Sequence, residues 1–172
     1  FQITQPFRGL TVAENVLIGA LRGGRSLVEA REIAEEVLEL VGLAGLARNQ
    51  ASSITIADCK RLELARALAT RPKLLLLDEI MAGLRPAEVD MAIDLIGSIR
   101  LKGVTIVVVE HLMRAVMALS ERLYVLHHGN LIAEGLPKEV IHRPEVVDAY
   151  LSDRGLPTNV SAKSFSKKAR WI

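Results

Sequence analysis

The sequence predicts an α/β fold in which a helical subdomain is followed by an open, mostly parallel sheet with flanking helices. Two short apolar runs, 74–77 and 104–109, are typical of strands buried on both faces of a parallel sheet, and the second is rich in β-branched residues. Between them lies an amphipathic helical segment that Pro86 opens and Gly103 closes. This segment supplies the crossover that two parallel strands require.

Local signals define the other elements in order. Thr11, with Glu14 three residues later, predicts the N-cap of a helix that runs to residue 21. Apolar positions three and four residues apart predict a second helix over 27–41, which Gly42 ends. The remaining predicted elements are helices over 59–70 and 112–119, a strand over 122–126, a tight turn at 127–130, a strand over 131–133 and short helices over 137–151.

The composition limits the class of protein. With 172 residues, of which 50% are hydrophobic, the chain can bury the core of one domain or of the larger part of one. Aromatic residues make up 3%, so stacking surfaces are scarce and we expect no nucleic-acid partner. Cys59 is the single cysteine, which excludes an internal disulfide and a cysteine-only metal cage. Because no apolar run approaches the ~18 residues of a membrane span, we expect any membrane contact to go through a partner.

The charge is uneven along the chain. The formal net charge is +2, and four basic residues with no acid follow residue 154, which leaves −2 for residues 1–154. We therefore expect a nearly neutral folded part and a flexible basic tail over 153–172.

Polar side chains follow both predicted strands. Asp78 and Glu79 come directly after the first, and Glu110 and His111 after the second. In open α/β sheets, ligands bind beyond the carboxyl ends of the strands. A carboxylate there can hold Mg²⁺ through its water shell, and its neighbour can orient or deprotonate a water. The alternatives are that the two acids begin a solvated turn and that His111 is a structural residue.

The order of motifs resembles a known family. RLELARALATRPKLLLLDE at 61–79, AGL at 82–84 and VVVEH at 107–111 resemble the nucleotide-binding subunits of ATP-binding-cassette (ABC) transporters, with similarity from Phe1 to about Ser152. FQ at the start, LTVAENV, AGLRP and PEVVDAYL are most similar to branched-chain amino-acid importers. The resemblance implies a partial P-loop NTPase fold, with these parts of an ATP-binding domain: about 1–70 for the Q-loop, helical subdomain and signature helix, about 71–135 for the Walker B, D-loop and H-switch core, and about 136–152 for a branched-chain-type extension.

The resemblance assigns roles in ATP hydrolysis to four residues. Gln2 matches the Q-loop glutamine, which contacts Mg²⁺ and the attacking water. Asp78 matches the Walker B aspartate and is expected, with Gln2, to hold Mg²⁺ largely through water. Glu79 matches the general base, and His111 matches the switch histidine that stabilises the γ-phosphate. The implied cofactors are ATP and Mg²⁺, and positioning and charge neutralisation dominate such phosphoryl transfer.

The resemblance also implies a segment that closes over nucleotide bound to a second subunit. This signature segment, usually LSGGQ, falls on ITIAD at 54–58, just before the third predicted helix. Thr55, Ile56, Ala57 and Asp58 are the expected contacts in trans. Thr55 can supply a hydroxyl, and Asp58 has the alternative role of helix N-cap.

A second segment is expected to cross to the same partner subunit. This D-loop segment comprises Ala82, Gly83, Leu84 and Arg85. It departs from the family in that Arg85 stands where Asn or Asp commonly caps the next helix, and Ile80 stands where proline is usual. Losing the cap is expected to cost about 0.5–2 kcal/mol.

The resemblance predicts that the chain is a fragment that starts at the Q-loop. The Walker A loop of the family, GxxxxGK[ST], belongs upstream, and the only stretch with similar spacing, residues 19–26, is predicted to be a helix-to-helix turn. The isolated chain is therefore expected neither to bind ATP tightly nor to hydrolyse it.

As an intact protein, the expected function is the ATPase subunit of an importer of branched-chain or related amino acids, peripheral on the cytoplasmic face of the membrane. Its expected partners are a second ATPase subunit, identical or not, membrane permease subunits that bind the groove around residues 2–10, and indirectly an external substrate-binding protein. Alternatives are a non-catalytic regulatory or interaction module derived from a cassette, and a cassette of a urea or lipopolysaccharide transporter.

Overall fold

A computed structural model of the protein describes residues 6–152 and 170–171. The described residues form two compact units, one of residues 6–75 and 98–105, the other of residues 76–97, 106–152 and 170–171. Helices and strands are both present, as the predicted α/β class requires.

The first unit contains three helices, α1 (Val12–Ala20), α2 (Leu27–Leu40) and α3 (Ile56–Ala69), with a short 3₁₀ turn at Ala44–Leu46. α1 and α2 each begin with a capping box, in which the N-cap hydroxyl and the N3 glutamate bond reciprocally to backbone N–H groups. The predicted Thr11–Glu14 cap is thereby confirmed. The buried faces of the helices form the core with these residues: Val12, Val16, Ala30, Ala34, Val37, Leu62, Ala65 and Ala69.

A close approach of α1 and α3 depends on a glycine. A Cβ built on Gly19 of α1 would lie 2.4 Å from the carbonyl oxygen of Arg66 and 3.3 Å from the Cβ of Ala69, both in α3. Because side chains do not approach backbone oxygen this closely, glycine allows the two helices to pack at this distance.

The strands β1 (Leu74–Asp78) and β2 (Thr105–Val109) pair with each other. The N–H of Thr105 donates to the carbonyl of Lys73 at 3.0 Å, and the N–H of Glu79 donates to the carbonyl of Val109 at 2.9 Å. Since the two starts pair and the two ends pair, the strands are parallel. The crossover helix α4 (Pro86–Leu101) connects them, as predicted.

The expectation that β1 is buried on both faces is wrong for the described chain. Leu75 and Leu77 are buried, whereas Leu74 is 52% and Leu76 is 68% exposed. The apolar residues of β1 therefore alternate between a covered and an open face. A continuous apolar run indicates a strand, but it does not show that both faces are covered within the same stretch of chain.

The second unit continues with α5 (Met113–Leu119), β3 (Leu123–His127), β4 (Asn130–Gly135), α6 (Pro137–Val140) and α7 (Pro144–Ser152). β3 and β4 form an antiparallel hairpin, and β5 (Arg170–Trp171) pairs antiparallel with β3 on its other side. His128 and Gly129 have φ of 48° and 79°, which confirms the tight turn predicted at 127–130. Residues 153–169 and 172, where most of the basic tail was predicted, lie outside the described residues. The hydrophobic core of the second unit contains Val116, Leu123, Val125, Ala133, Val140 and Val146.

Candidate active site

The end of β1 leads into a turn of unusual backbone geometry. Asp78, the last residue of the strand, is exposed, and Glu79 follows it with φ of 48°, in the left-handed region that few residues other than glycine adopt. The carbonyl of Glu79 accepts from the N–H of Ala82 at 3.1 Å, and the carbonyl of Met81 accepts from the N–H of Leu84 at 3.2 Å. We call residues 79–84 the strand-end turn. The Asp78 residue is exposed, whereas the Glu79 side chain is 23% exposed, so the two adjacent acids do not share one environment.

Glu79 faces the histidine that follows β2. Nδ1 of His111 lies 3.9 Å from Oε1 of Glu79, and the two side chains are 27% and 23% exposed. This separation is longer than a direct hydrogen bond. Both groups are partly solvated, so they can approach a water or an anionic oxygen from the same side of the site. The structure thus brings together two of the residues expected in catalysis, Glu79 and His111.

A third acid, Glu110, accepts a hydrogen bond from the backbone of the strand-end turn. Glu110 is 1% exposed, and its Oε1 accepts from the N–H of Met81 at 3.0 Å. Its Oε2 has no hydrogen-bond partner among the described residues. Sequence reasoning noted Glu110 at the strand end but gave it no role. Its buried position directly after an apolar strand was the available signal.

The D-loop segment replaces the missing Asn or Asp cap with a different device. The backbone N–H of Arg85 donates to Oε2 of Glu88 at 2.8 Å, and the guanidinium of Arg85 donates to Oε1 of the same carboxylate at 2.7 Å from Nη2. This is the glutamate half of a capping box, so the predicted cost of lacking Asn or Asp is partly offset. The hydrogen bond that Arg85 donates to the Glu88 carboxylate raises the pKa of Arg85 above its ordinary value. Gly83 has φ of 77° and is exposed.

The signature segment was predicted to lie just before a helix, but its last three residues form the first turn of α3. Thr55, rather than Asp58, is the N-cap of α3: its Oγ1 accepts from the N–H of Asp58 at 3.1 Å. The expectations that the helix starts at Cys59 and that Asp58 caps it are wrong, because Thr55 is also a favourable cap residue and leaves Asp58 at the third helical position. Ile56 and Ala57 therefore belong to the first turn of α3.

The carboxylate of Asp58 is directed into the first unit. It is buried, accepts from Oγ1 of Thr55 at 2.7 Å and forms an ion pair with Arg61. A free acid in the first helical turn would repel an incoming phosphate, and the contact with Arg61 reduces this repulsion. Thr55 and Ile56 remain exposed at this helix end, Ile56 at 70%.

Gln2 lies outside the described residues, but the segment after it is well anchored. Asn15 of α1 is fully buried, and it accepts from the N–H of Phe7 at 2.8 Å and donates to the carbonyls of Phe7 at 3.1 Å and Thr11 at 2.9 Å. The Phe7 ring, 45% exposed, stacks under the guanidinium of Arg66 at 4.5 Å. Sequence reasoning missed Asn15, although a polar residue on the core-facing side of an apolar helix was a usable signal.

The glycine-rich stretch at 19–26 is a connection between helices, as predicted. Gly19 lies within α1, Gly23 and Gly24 adopt φ of 85° and 76°, and Ser26 caps α2. Arg25 donates from Nη1 to the carbonyls of Ala20 at 3.0 Å and Arg22 at 2.9 Å, so it is occupied in closing α1.

Comparison with known proteins identifies the family. A sequence profile of the family described as "ABC transporter" matches residues 1–82. The high-affinity branched-chain amino acid transport ATP-binding protein LivG of Salmonella typhimurium is 38% identical over 169 residues, which cover 89% of this chain and 66% of LivG. A solved structure of MJ1267, an ATP-binding cassette of an ABC transporter, superposes with a TM-score of 0.76 at 32% identity and covers 87% of this chain and 66% of that one. The chain belongs to the ABC transporter family. A further ABC relative, the lipopolysaccharide export system ATP-binding protein LptB of Acidithiobacillus ferridurans, is 34% identical over 148 residues, 86% of this chain and 61% of LptB.

The donors of the site fit an ABC cassette. Among the described residues, no group of three or more His, Cys, Asp or Glu side chains could hold a metal ion by itself. Mg²⁺ in phosphoryl-transfer sites keeps several waters and takes one or two carboxylates together with the phosphates, which suits a single exposed Asp78. The chain spans 66% of the length of LivG, and no described helix is long and apolar enough to cross a bilayer.

Proposed function

We propose that the protein is the ATP-hydrolysing subunit of an ABC importer that drives uptake of branched-chain amino acids. The observation that carries the proposal is the pairing of Glu79 and His111, with Nδ1 and Oε1 3.9 Å apart at the adjacent ends of two parallel strands. A carboxylate and an imidazole at this distance can share a bridging water, and the imidazole can donate a hydrogen bond to an oxyanion. The name of LivG supports the choice of branched-chain amino acids as the transported class.

In this proposal each residue of the site acts on water or charge. Glu79 accepts the proton of the attacking water, and its carboxylate lies opposite the imidazole of His111. His111 donates a hydrogen bond to the oxygen on which charge develops. Asp78 holds Mg²⁺ through water, and Gln2 is its proposed partner in this task. Mg²⁺, when bound with ATP, neutralises charge on the phosphates.

Two segments serve a second ATPase subunit in the proposed assembly. The exposed first turn of α3, with Thr55, Ile56 and Ala57, presents backbone N–H groups to the nucleotide of that subunit, while Asp58 is neutralised by Arg61. The D-loop segment, from Ala82 to Arg85, in which Gly83 and Arg85 are exposed, contacts the same partner.

The membrane partner is proposed to bind the segment around Phe7. This residue is exposed although its backbone is fixed by Asn15, so an apolar surface is offered in a defined position. Permease subunits would dock there at the cytoplasmic face of the membrane, and an external binding protein would supply the amino acid. LptB supports lipopolysaccharide export as the second candidate function.

Gene deletion and complementation test the proposal. Deleting the gene that encodes this chain should lower uptake of labelled leucine, isoleucine and valine, and the wild-type gene should restore it. Glu79→Gln should fail to restore uptake, because removal of a general base slows catalysis by about 10²–10⁴-fold. Glu39→Gln, at an exposed position on α2, is the matched control and should restore it fully.

Two results would contradict the proposal. Unchanged amino-acid uptake together with loss of lipopolysaccharide from the cell surface would favour the second candidate. Restoration of uptake by Glu79→Gln would show that the chain acts as a non-catalytic module.

A further inference from the structure

Glu110 is a buried acid that the proposed chemistry does not use. Its side chain is among the largest fully buried ones of the described chain, at 1% exposed. One carboxylate oxygen accepts from the N–H of Met81, and the other has no partner among the described residues. Burying a polar oxygen without a partner lowers stability, so an apolar side chain of similar size would pack here at less cost. The role of Glu110 in the structure therefore depends on the hydrogen bond that its Oε1 accepts from the Met81 N–H.

The end of β2 contacts the strand-end turn through three consecutive residues. The carbonyl of Val109 accepts from the N–H of Glu79 at 2.9 Å, Oε1 of Glu110 accepts from the N–H of Met81 at 3.0 Å, and Nδ1 of His111 lies 3.9 Å from Oε1 of Glu79. The hydrogen bonds to the N–H groups of Glu79 and Met81 fix the backbone on each side of Ile80. The third contact is the approach of the Glu79 and His111 side chains, which face the site.

The contact with Met81 restrains a backbone that would otherwise relax. Glu79 has φ of 48°, a conformation that costs an ordinary residue free energy and persists only where its surroundings impose it. Met81 is two residues further and 3% exposed, so its N–H has no access to water as an alternative partner. If Oε1 is removed, the Met81 N–H loses its acceptor and the turn can return toward an unstrained backbone.

We propose that Glu110 is a positioning residue, which holds the Met81 amide and thereby keeps the Glu79 carboxylate opposite His111. This inference rests on the proposed function, since it concerns the same pair of groups. It assigns to Glu110 no contact with substrate.

Amide exchange and histidine resonances, measured by NMR on the purified protein, test the inference without ATP turnover. Glu110→Leu removes the acceptor and should speed exchange of the Met81 amide by at least about tenfold. Glu110→Gln keeps a carbonyl oxygen and should leave this exchange within about threefold of wild type. The amide of Val116, bonded to the Leu112 carbonyl at 3.1 Å in the same unit, is the internal reference and should not change.

The His111 imidazole resonances report the second half of the inference. They should shift more in Glu110→Leu than in Glu110→Gln, because both substitutions replace the neighbouring carboxylate but only leucine removes the acceptor of the Met81 N–H. An unchanged Met81 exchange in Glu110→Leu, an unchanged His111 spectrum in that variant, or loss of Met81 protection in Glu110→Gln would each overturn the inference. Amino-acid uptake by the complemented deletion strain separates the two proposals: a wild-type gene that does not restore uptake contradicts the proposed function, and the NMR results still decide the role of Glu110.

Discussion

Replacing Gly19 by alanine is expected to force helices α1 and α3 apart. The added Cβ would lie 2.4 Å from the Arg66 carbonyl oxygen, whereas ordinary contacts begin at about 3.4 Å. One helix must therefore move by about 1 Å, and overpacking of this kind costs about 1–3 kcal/mol. Alanine in place of glycine within a helix returns about 0.5–1 kcal/mol. The expected net loss in the free energy of unfolding is therefore about 0–2.5 kcal/mol.

Gly45→Ala is the matched control for this prediction. Gly45 lies in the same unit, its Cβ would meet nothing within 4 Å, and its φ is outside the left-handed region. This variant should be more stable than wild type by about 0.4–1 kcal/mol. Urea denaturation followed by circular dichroism measures both variants. A Gly19→Ala protein as stable as Gly45→Ala would refute the packing of α1 against α3 described above.

Three further predictions concern caps, buried amides and ion pairs. Thr55→Ala removes the N-cap of α3 and should lower the free energy of unfolding by about 1 kcal/mol, while Thr55→Ser should restore it; equal stability of all three proteins in urea would contradict the cap. Asn15→Leu removes the acceptor of the Phe7 N–H and one of two donors to each of the Phe7 and Thr11 carbonyls, and should cost about 1–3 kcal/mol; a melting temperature equal to that of wild type would contradict this role. The hydrogen bond from Arg71 lowers the pKa of Glu36, so this pair stabilises the fold above the ordinary Glu pKa and its contribution is lost as the pH falls below about 4.3. Because both side chains are nearly half exposed, Glu36→Gln should remove at most about 1 kcal/mol at pH 7 and progressively less as the pH falls through the lowered pKa of Glu36, and a loss that does not change with pH would contradict the assignment.

Elements that depend on local signals were predictable from the sequence. The capping box at Thr11, the crossover helix that Pro86 opens and the turn at His128-Gly129 each follow from residues that are neighbours in the chain. The meeting of Glu79 and His111 was also predictable, because the ends of parallel strands meet at one edge of a sheet.

Features that depend on packing were not predictable. The prediction that β1 is buried on both faces was wrong, because the apolar run at 74–77 does not show which face of the strand is covered. The start of α3 was misplaced because Thr55 and Asp58 are both good caps, and only the backbone shows which one is used. The roles of Asn15 and Glu110 depend on hydrogen bonds to backbone groups eight and twenty-nine residues away. A local sequence pattern does not predict contacts over such separations.

The pairing of Glu79 with His111 is the centre of this account, and a double-mutant cycle on ATP hydrolysis tests it most directly. The rates to compare are those of the wild-type protein, Glu79→Gln, His111→Ala and the double variant, each assembled with its transporter partners. If the two side chains act on one water and one phosphate, the double variant should be no more than about threefold slower than the slower single variant. Two losses that multiply, or a Glu79→Gln protein that hydrolyses ATP at the wild-type rate, would contradict it.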